Sequence, residues 1–108
     1  MDVKSLPAFA AFAEEKLKKH NVFSTSRFFL DVYCLKSGQA QKSHVHAESD
    51  KVYVVLEGTC QFEVNGETAE HATGAMVLAP AGSTHGVTNP GPQPARLLVF
   101  MTPPPPHA

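Results

Sequence analysis

Between Phe28 and Met101, turn-forming residues interrupt the chain every eight to twelve positions, and the segments between them are short and rich in apolar side chains. That rhythm points to an antiparallel sandwich or barrel of short strands. Phe28 to Leu35 is aromatic and β-branched and stops at Ser37-Gly38. Val52 to Leu56 is a continuous apolar run, as expected of a strand covered on both faces. Gln61 to Val64 alternates and then meets Asn65-Gly66, the strongest short signal for a tight hairpin. Glu67 to His71, Ala75 to Leu78, Gly86 to Thr88 and Arg96 to Phe100 complete the set.

The chain divides into three parts. Residues 1–25 form an N-terminal arm, residues 26–102 the β-domain, and residues 103–108 a proline-rich tail. In the arm, Ala8 to Lys19 has helix-friendly composition after Pro7, so a short helix followed by an edge strand is expected. Its phenylalanines Phe9, Phe12 and Phe23 read as core or subunit contacts. Four consecutive prolines from Pro103 predict an extended, solvated tail, in which His107 is not a ligand. At 108 residues the chain has room for one core. A net charge of −1 without a basic stripe argues against nucleic acid as a partner. No apolar run reaches membrane-spanning length and no signal-peptide pattern opens the chain, so no membrane partner and a cytoplasmic location are expected. Cys34 and Cys60 then read as reduced, buried, small hydrophobes.

The chemistry sits in two histidine segments. His44 and His46 are separated by one residue, so on a strand they share a face. A third imidazole meeting them from another strand completes a nitrogen set suited to a divalent metal. The second segment reads Gly74, Pro80, Gly82, His85, Asn89. Gly74 permits the turn into its strand. Pro80 and Gly82 make a sharp turn that aims His85 inward, and Asn89 ties down the turn at Pro90-Gly91-Pro92. Chance would supply those three turn residues at roughly one position in four thousand.

These motifs resemble those of a single-domain cupin. That family's first motif runs glycine, five residues, His-x-His, three or four residues, glutamate, six residues, glycine; here it reads Gly38, His44-Val45-His46, Lys51, Gly58. The second motif matches from Gly74 to Asn89 at every defined position. The resemblance covers roughly residues 26 to 102. It implies an all-β, double-stranded β-helix fold, a jelly-roll-like antiparallel barrel, preceded by a short N-terminal helix or arm. It also implies a divalent ion (Fe, Mn, Ni or Zn) on His44, His46 and His85, and often a homodimer.

Lys51 is the departure, because it stands where the family has a carboxylate ligand. A protonated lysine has no lone pair to give. At ~4 Å from a divalent ion it would be repelled by roughly 8 kcal/mol at an effective dielectric of ~20. Four arrangements are open. The site is three histidines with Lys51 turned away; Asp50 or Glu48 swings in; Lys51 acts unprotonated as ligand or base; or no metal binds and the ammonium meets a ligand anion directly. Strand parity disfavours Asp50, which faces out if Lys51 and Tyr53 face in. A snorkelling lysine at the barrel rim is the plain alternative. Lys51 and Tyr53 are the candidate catalytic residues, although Tyr53 reads first as core and only second as a substrate hydrogen-bonder, and Cys60 and Met76 read as packing.

Two functions are consistent with this pattern. The first is a metal-dependent dioxygenase or isomerase acting on a small, chelating, anionic metabolite such as an enolate, β-diketone, hydroxy acid or catechol. The second is a non-catalytic cupin that binds a small ligand or a metal.

Overall fold

The computed structural model describes residues 1–105. Within these, nine strands follow a single 3-10 turn, Leu6–Ala8: β1 (Lys18–Ser24), β2 (Phe29–Leu35), β3 (Ala40–Val45), β4 (Asp50–Glu57), β5 (Thr59–Val64), β6 (Glu67–Ala72), β7 (Met76–Ala79), β8 (Thr84–Thr88) and β9 (Ala95–Thr102). They form two antiparallel sheets, ordered β1-β2-β9-β4-β7 and β3-β8-β5-β6. This is the two-sheet barrel the turn spacing calls for. The strands β1 and β3 are sheet edges, so a seam is left between them.

Alternation decides what enters the barrel. On β4, Lys51, Tyr53 and Val55 point inward and are at most 1% exposed, whereas Val52, Val54 and Leu56 on the other face are half-buried. Tyr33 and Leu35 of β2, Leu97 and Val99 of β9, and Cys60 and Phe62 of β5 meet them in the main core. Each fully buried apolar side chain there contributes about 1.5–3 kcal/mol. The hairpin between β5 and β6 turns on Asn65 and Gly66, with φ of 51° and 83°, the left-handed pair a tight type I′ turn requires.

The arm departs from expectation. The helix over Ala8 to Lys19 does not form; one 3-10 turn is followed by irregular chain that bends at residues 14–16 and then by edge strand β1. The barrel takes the carbonyls a helix would have used. Phe9 O accepts from Arg96 at 3.3 Å, Ala11 O from His20 at 2.9 Å and Ala13 O from Gln39 at 2.7 Å. Phe9 and Phe12 pack with Phe23 on a second cluster, Val22, Val32 and Cys34, on the outer face of the five-stranded sheet. That burial outweighs the modest helix propensity of a segment this short.

Further along that outer face, nothing among the described residues covers β7. Met76 is 75% exposed and Leu78 58%, so Met76 is not the packing residue its sequence context suggests, and β4 is not covered on both faces. Cys34 and Cys60 are both free and buried, one in each cluster, as expected. The tail begins against the barrel instead of in solvent: Ser49 donates to Pro103 O at 2.6 Å, and Pro104 and Pro105 are half-buried. His107 lies outside the described residues. No helix is long and apolar enough to cross a membrane among the described residues.

Candidate metal centre

His44 is the penultimate residue of strand β3, His46 follows that strand directly, and His85 lies on β8 opposite His44 in the ladder. The turn after β7 fixes their approach. Ser83 N donates to Pro80 O at 3.0 Å, Gly82 N to His46 O at 3.0 Å, and Ala81 N to Asp50 Oδ1 at 2.9 Å. The second of these ties the two histidine segments to each other. Asn89, 1% exposed, donates to Leu35 O and Gln93 O and accepts from Gly91 N, which locks the turn beyond β8.

The three rings converge. Their centroids stand 4.3 Å (His44–His85), 4.8 Å (His44–His46) and 5.5 Å (His46–His85) apart. One ligand nitrogen from each lies within 4.8 Å of the other two. His44 Nδ1 bonds Lys42 O at 2.7 Å and His85 Nδ1 bonds Ser83 O at 3.2 Å. A carbonyl only accepts, so the proton is on Nδ1 in both rings and each Nε2 presents a lone pair. Both Nε2 atoms are buried without a partner among the described residues. Buried polar atoms are ordinarily satisfied, so two adjacent orphans mark a place where something else binds. Carbonyl-oriented imidazoles with free Nε2 are what metal-ligating histidines present, and the donor set fits a divalent ion.

Electrostatics keep those lone pairs available. Burial pushes His85 down to about 4, with His44, Lys51 and His46 pushing the same way against the Ser83 carbonyl. Burial likewise lowers His44 and His46, and Lys51 adds to both.

Lys51 is not at the rim. It is 0% exposed, and its Nζ donates to Gln41 Oε1 at 2.9 Å between the rings of Tyr33 and Tyr53, 5.3 and 5.0 Å from their centroids. Burial first, then the neighbouring Lys19, lowers it to about 7, with Asp31 opposing. The proposed carboxylate substitutes are elsewhere: Asp50 is exposed and committed to Ala81 N, and Glu48 is exposed. Tyr53 is a core residue against Phe62 at 5.1 Å, its hydroxyl buried without a partner among the described residues and its phenol pushed above its ordinary value by burial.

A cavity of about 100 Å³ joins His46 and Lys51 to Lys19, Asp31, Tyr33 and Gln41. The last four were not legible as site residues. Gln41 is an odd number of positions from His44, so simple alternation puts it on the opposite face. A bulge between Gln41 and His44 reverses that phase and turns Gln41 inward. Gly86 makes the bulge feasible, since a Cβ there would sit 2.9 Å from Gln41 O and 3.0 Å from Ser43 N. For Lys19, the sole signal was its spacing of two from buried Leu17.

Residues 31–101 match the family profile described as the cupin domain. A crystal structure of a Thermus thermophilus protein superposes with a TM-score of 0.94 at 47% identity, covering 97% of this chain and all of that one (100%). An uncharacterised Streptomyces coelicolor protein is 34% identical over 73 residues, 68% of each chain. The tetracenomycin polyketide synthase protein TcmJ of Streptomyces glaucescens is 30% identical over 87 residues, 81% of this chain but 58% of its own length.

Proposed function

We propose that this chain, which belongs to the cupin family, binds a divalent metal through His44, His46 and His85 and acts on a small, chelating, anionic metabolite as a metal-dependent oxygenase or isomerase. The observation that carries the reading is the pair of buried Nε2 atoms on His44 and His85 without a partner among the described residues, each freed by a carbonyl bond at Nδ1. A bound ion would supply Lewis acidity and, if redox-active, one-electron chemistry with dioxygen. The chain's own part is to hold three neutral donors in place, leave the ion's charge uncompensated, and admit a compact ligand through the cavity beside His46.

Elemental analysis of protein purified without an affinity tag tests this. About one metal per chain is expected, lost in His85→Ala. Failure of metal-free protein to take up Zn(II), Mn(II), Fe(II) or Ni(II) overturns it. Metal retained without oxygen uptake or turnover of any hydroxy acid, diketone or phenol would leave the non-catalytic binding reading in its place.

The same reading includes a homodimer. The outer face of the five-stranded sheet carries two apolar rows, Phe100, Val52, Leu78 and Leu98, Val54, Met76, in register across β9, β4 and β7. Met76, Leu78 and Phe100 (36%) are exposed. Apolar patches of this kind mark interfaces. Light scattering should give twice the chain mass at micromolar concentration, and Met76→Glu with Leu78→Glu should halve it; a monomeric wild type removes the claim.

A further inference from the structure

Lys51 is a fully buried ammonium with one hydrogen bond, to a neutral amide. Among the described residues no carboxylate lies within ion-pair distance of it. Asp31 lines the same cavity, but its Oδ1 accepts from Asn21 at 2.8 Å instead. Lys19 reaches the same place from β1: its Nζ lies 5.3 Å from the Tyr33 ring centroid, the distance at which Lys51 lies from that ring. Two ammonium groups thus flank one phenol ring, with one carboxylate on the cavity wall. Buried charges in folded proteins are normally paired, so the missing counter-charge points to a ligand.

The approach to this cavity has the same character. A groove of about 580 Å³ fills the seam between β1 and β3 and is lined by Lys16, Lys18, Lys19, Gln41 and Lys42. It shares Lys19 and Gln41 with the inner cavity. The chain's net charge is −1, so four lysines at one opening are a local feature of the seam. Such a lined cleft raises the local concentration of anions and guides them in.

We propose that Lys51 and Lys19 form an anion subsite beside the histidines, reached through the β1–β3 seam, and that the ligand is a compact hydroxy acid carrying a second carboxylate. The proposal rests on the metal reading only for the ligand's other end. The hydroxy-acid end meets the ion on the histidines, and the second carboxylate meets Lys51, whose proton the bound anion holds in place. A neutral diketone or a catechol would leave the ammonium pair uncompensated. The inner cavity, about 100 Å³, suits a ligand of a few carbon atoms.

Tartronate and L-lactate make the test, since they differ by a carboxylate in place of a methyl group. Both are titrated calorimetrically into Zn(II)-loaded protein, with zinc content measured before and after, and into metal-free protein. The wild type should bind tartronate at least tenfold more tightly than lactate. Lys51→Met should lose most of that preference while keeping its zinc, and Lys19→Gln should lose part of it. Should Lys51→Met fail to fold, Lys19→Gln, at an exposed position, decides by itself. A wild type without the preference, or a Lys51→Met variant that keeps it, overturns the subsite. If the wild type takes up no zinc, the metal reading falls, and the metal-free titration still decides: Lys51-dependent tartronate binding upholds the subsite, while equal or absent binding overturns it.

Discussion

The ammonium nitrogen of Lys51 donates to Oε1 of Gln41 at 2.9 Å, and this bond joins the two sheets, because Lys51 is on β4 and Gln41 on β3. The barrel therefore holds, at the position of a family carboxylate, a cation tied to an amide carbonyl. Satisfying Nζ this way keeps the side chain off the rim and beside the three imidazoles, whose proton affinity it lowers.

Burying that cation makes stability depend on pH. The folded-state value of Lys51 is about 7, below its ordinary 10.5. Between those two values the unfolded chain binds the proton and the folded chain does not, so stability rises with pH across that window. Below about pH 7 both states are protonated and the full penalty, about 5 kcal/mol, is present. Urea melts of metal-free protein should show Lys51→Met more stable than wild type at pH 6, with the gap narrowing toward pH 10. A gap independent of pH would show that Lys51 keeps its proton throughout.

Metal uptake should release few protons. His85, at about 4, and the lowered His44 and His46 already offer lone pairs at neutral pH. Lys51 is the one nearby group close to half-titration, and with no anion bound a divalent ion beside it would lower its hold on the proton further. Zinc binding measured in buffers of different ionisation enthalpy at pH 7 should thus give less than one proton released per ion. The Lys51→Met variant should give close to none. Release of one proton or more from that variant would mean that a histidine is charged before metal arrives.

What the sequence conveyed best was whatever follows from local rules. Period-two alternation, Asn65-Gly66 and the Pro80–Gly82 turn depend on neighbours in the chain, and the strands, the hairpin and the inward aim of His85 followed from them. Lys51 could be placed on the inner face by parity with Tyr53, yet not as buried, because its partner Gln41 becomes inward-facing through a bulge that no local pattern announces. The arm failed as a helix for the same kind of reason: Arg96, His20 and Gln39, distant or on another element, claim its carbonyls. Long-range hydrogen bonds, rather than composition, set both outcomes.

That bulge should be sensitive to a single methyl group. In Gly86→Ala the new Cβ would meet Gln41 O at 2.9 Å, Ser43 N at 3.0 Å and Ser43 Cα at 3.2 Å, all in β3 and none at the end of a flexible side chain. The strand must shift, at a cost of about 1–3 kcal/mol. His44 and Gln41 are carried with it, so the variant should lose metal affinity by at least tenfold while remaining folded at room temperature. Chemical denaturation with a parallel zinc titration checks both. Unchanged affinity at lowered stability would separate the bulge from the metal centre.

Replacing Lys51 by glutamate tests whether this position still addresses the ion. The backbone of β4 holds residue 51 inside the barrel, paired with Ala79 and Met101, so a carboxylate placed there starts from the inner face. In metal-free protein Lys51→Glu should be destabilised near neutral pH, because a buried carboxylate then faces Gln41 Oε1, and an amide flip can satisfy only part of it. With metal, the balance reverses. An anionic fourth ligand replaces a cation that repels the ion, so affinity for Zn(II) or Mn(II) should rise at least tenfold, and the rise in melting temperature on adding metal should exceed that of wild type. Preference for tartronate over lactate should fall at the same time, since the anion's partner has become an acid. Equal or weaker metal binding would mean that residue 51 lies out of reach of the three imidazoles.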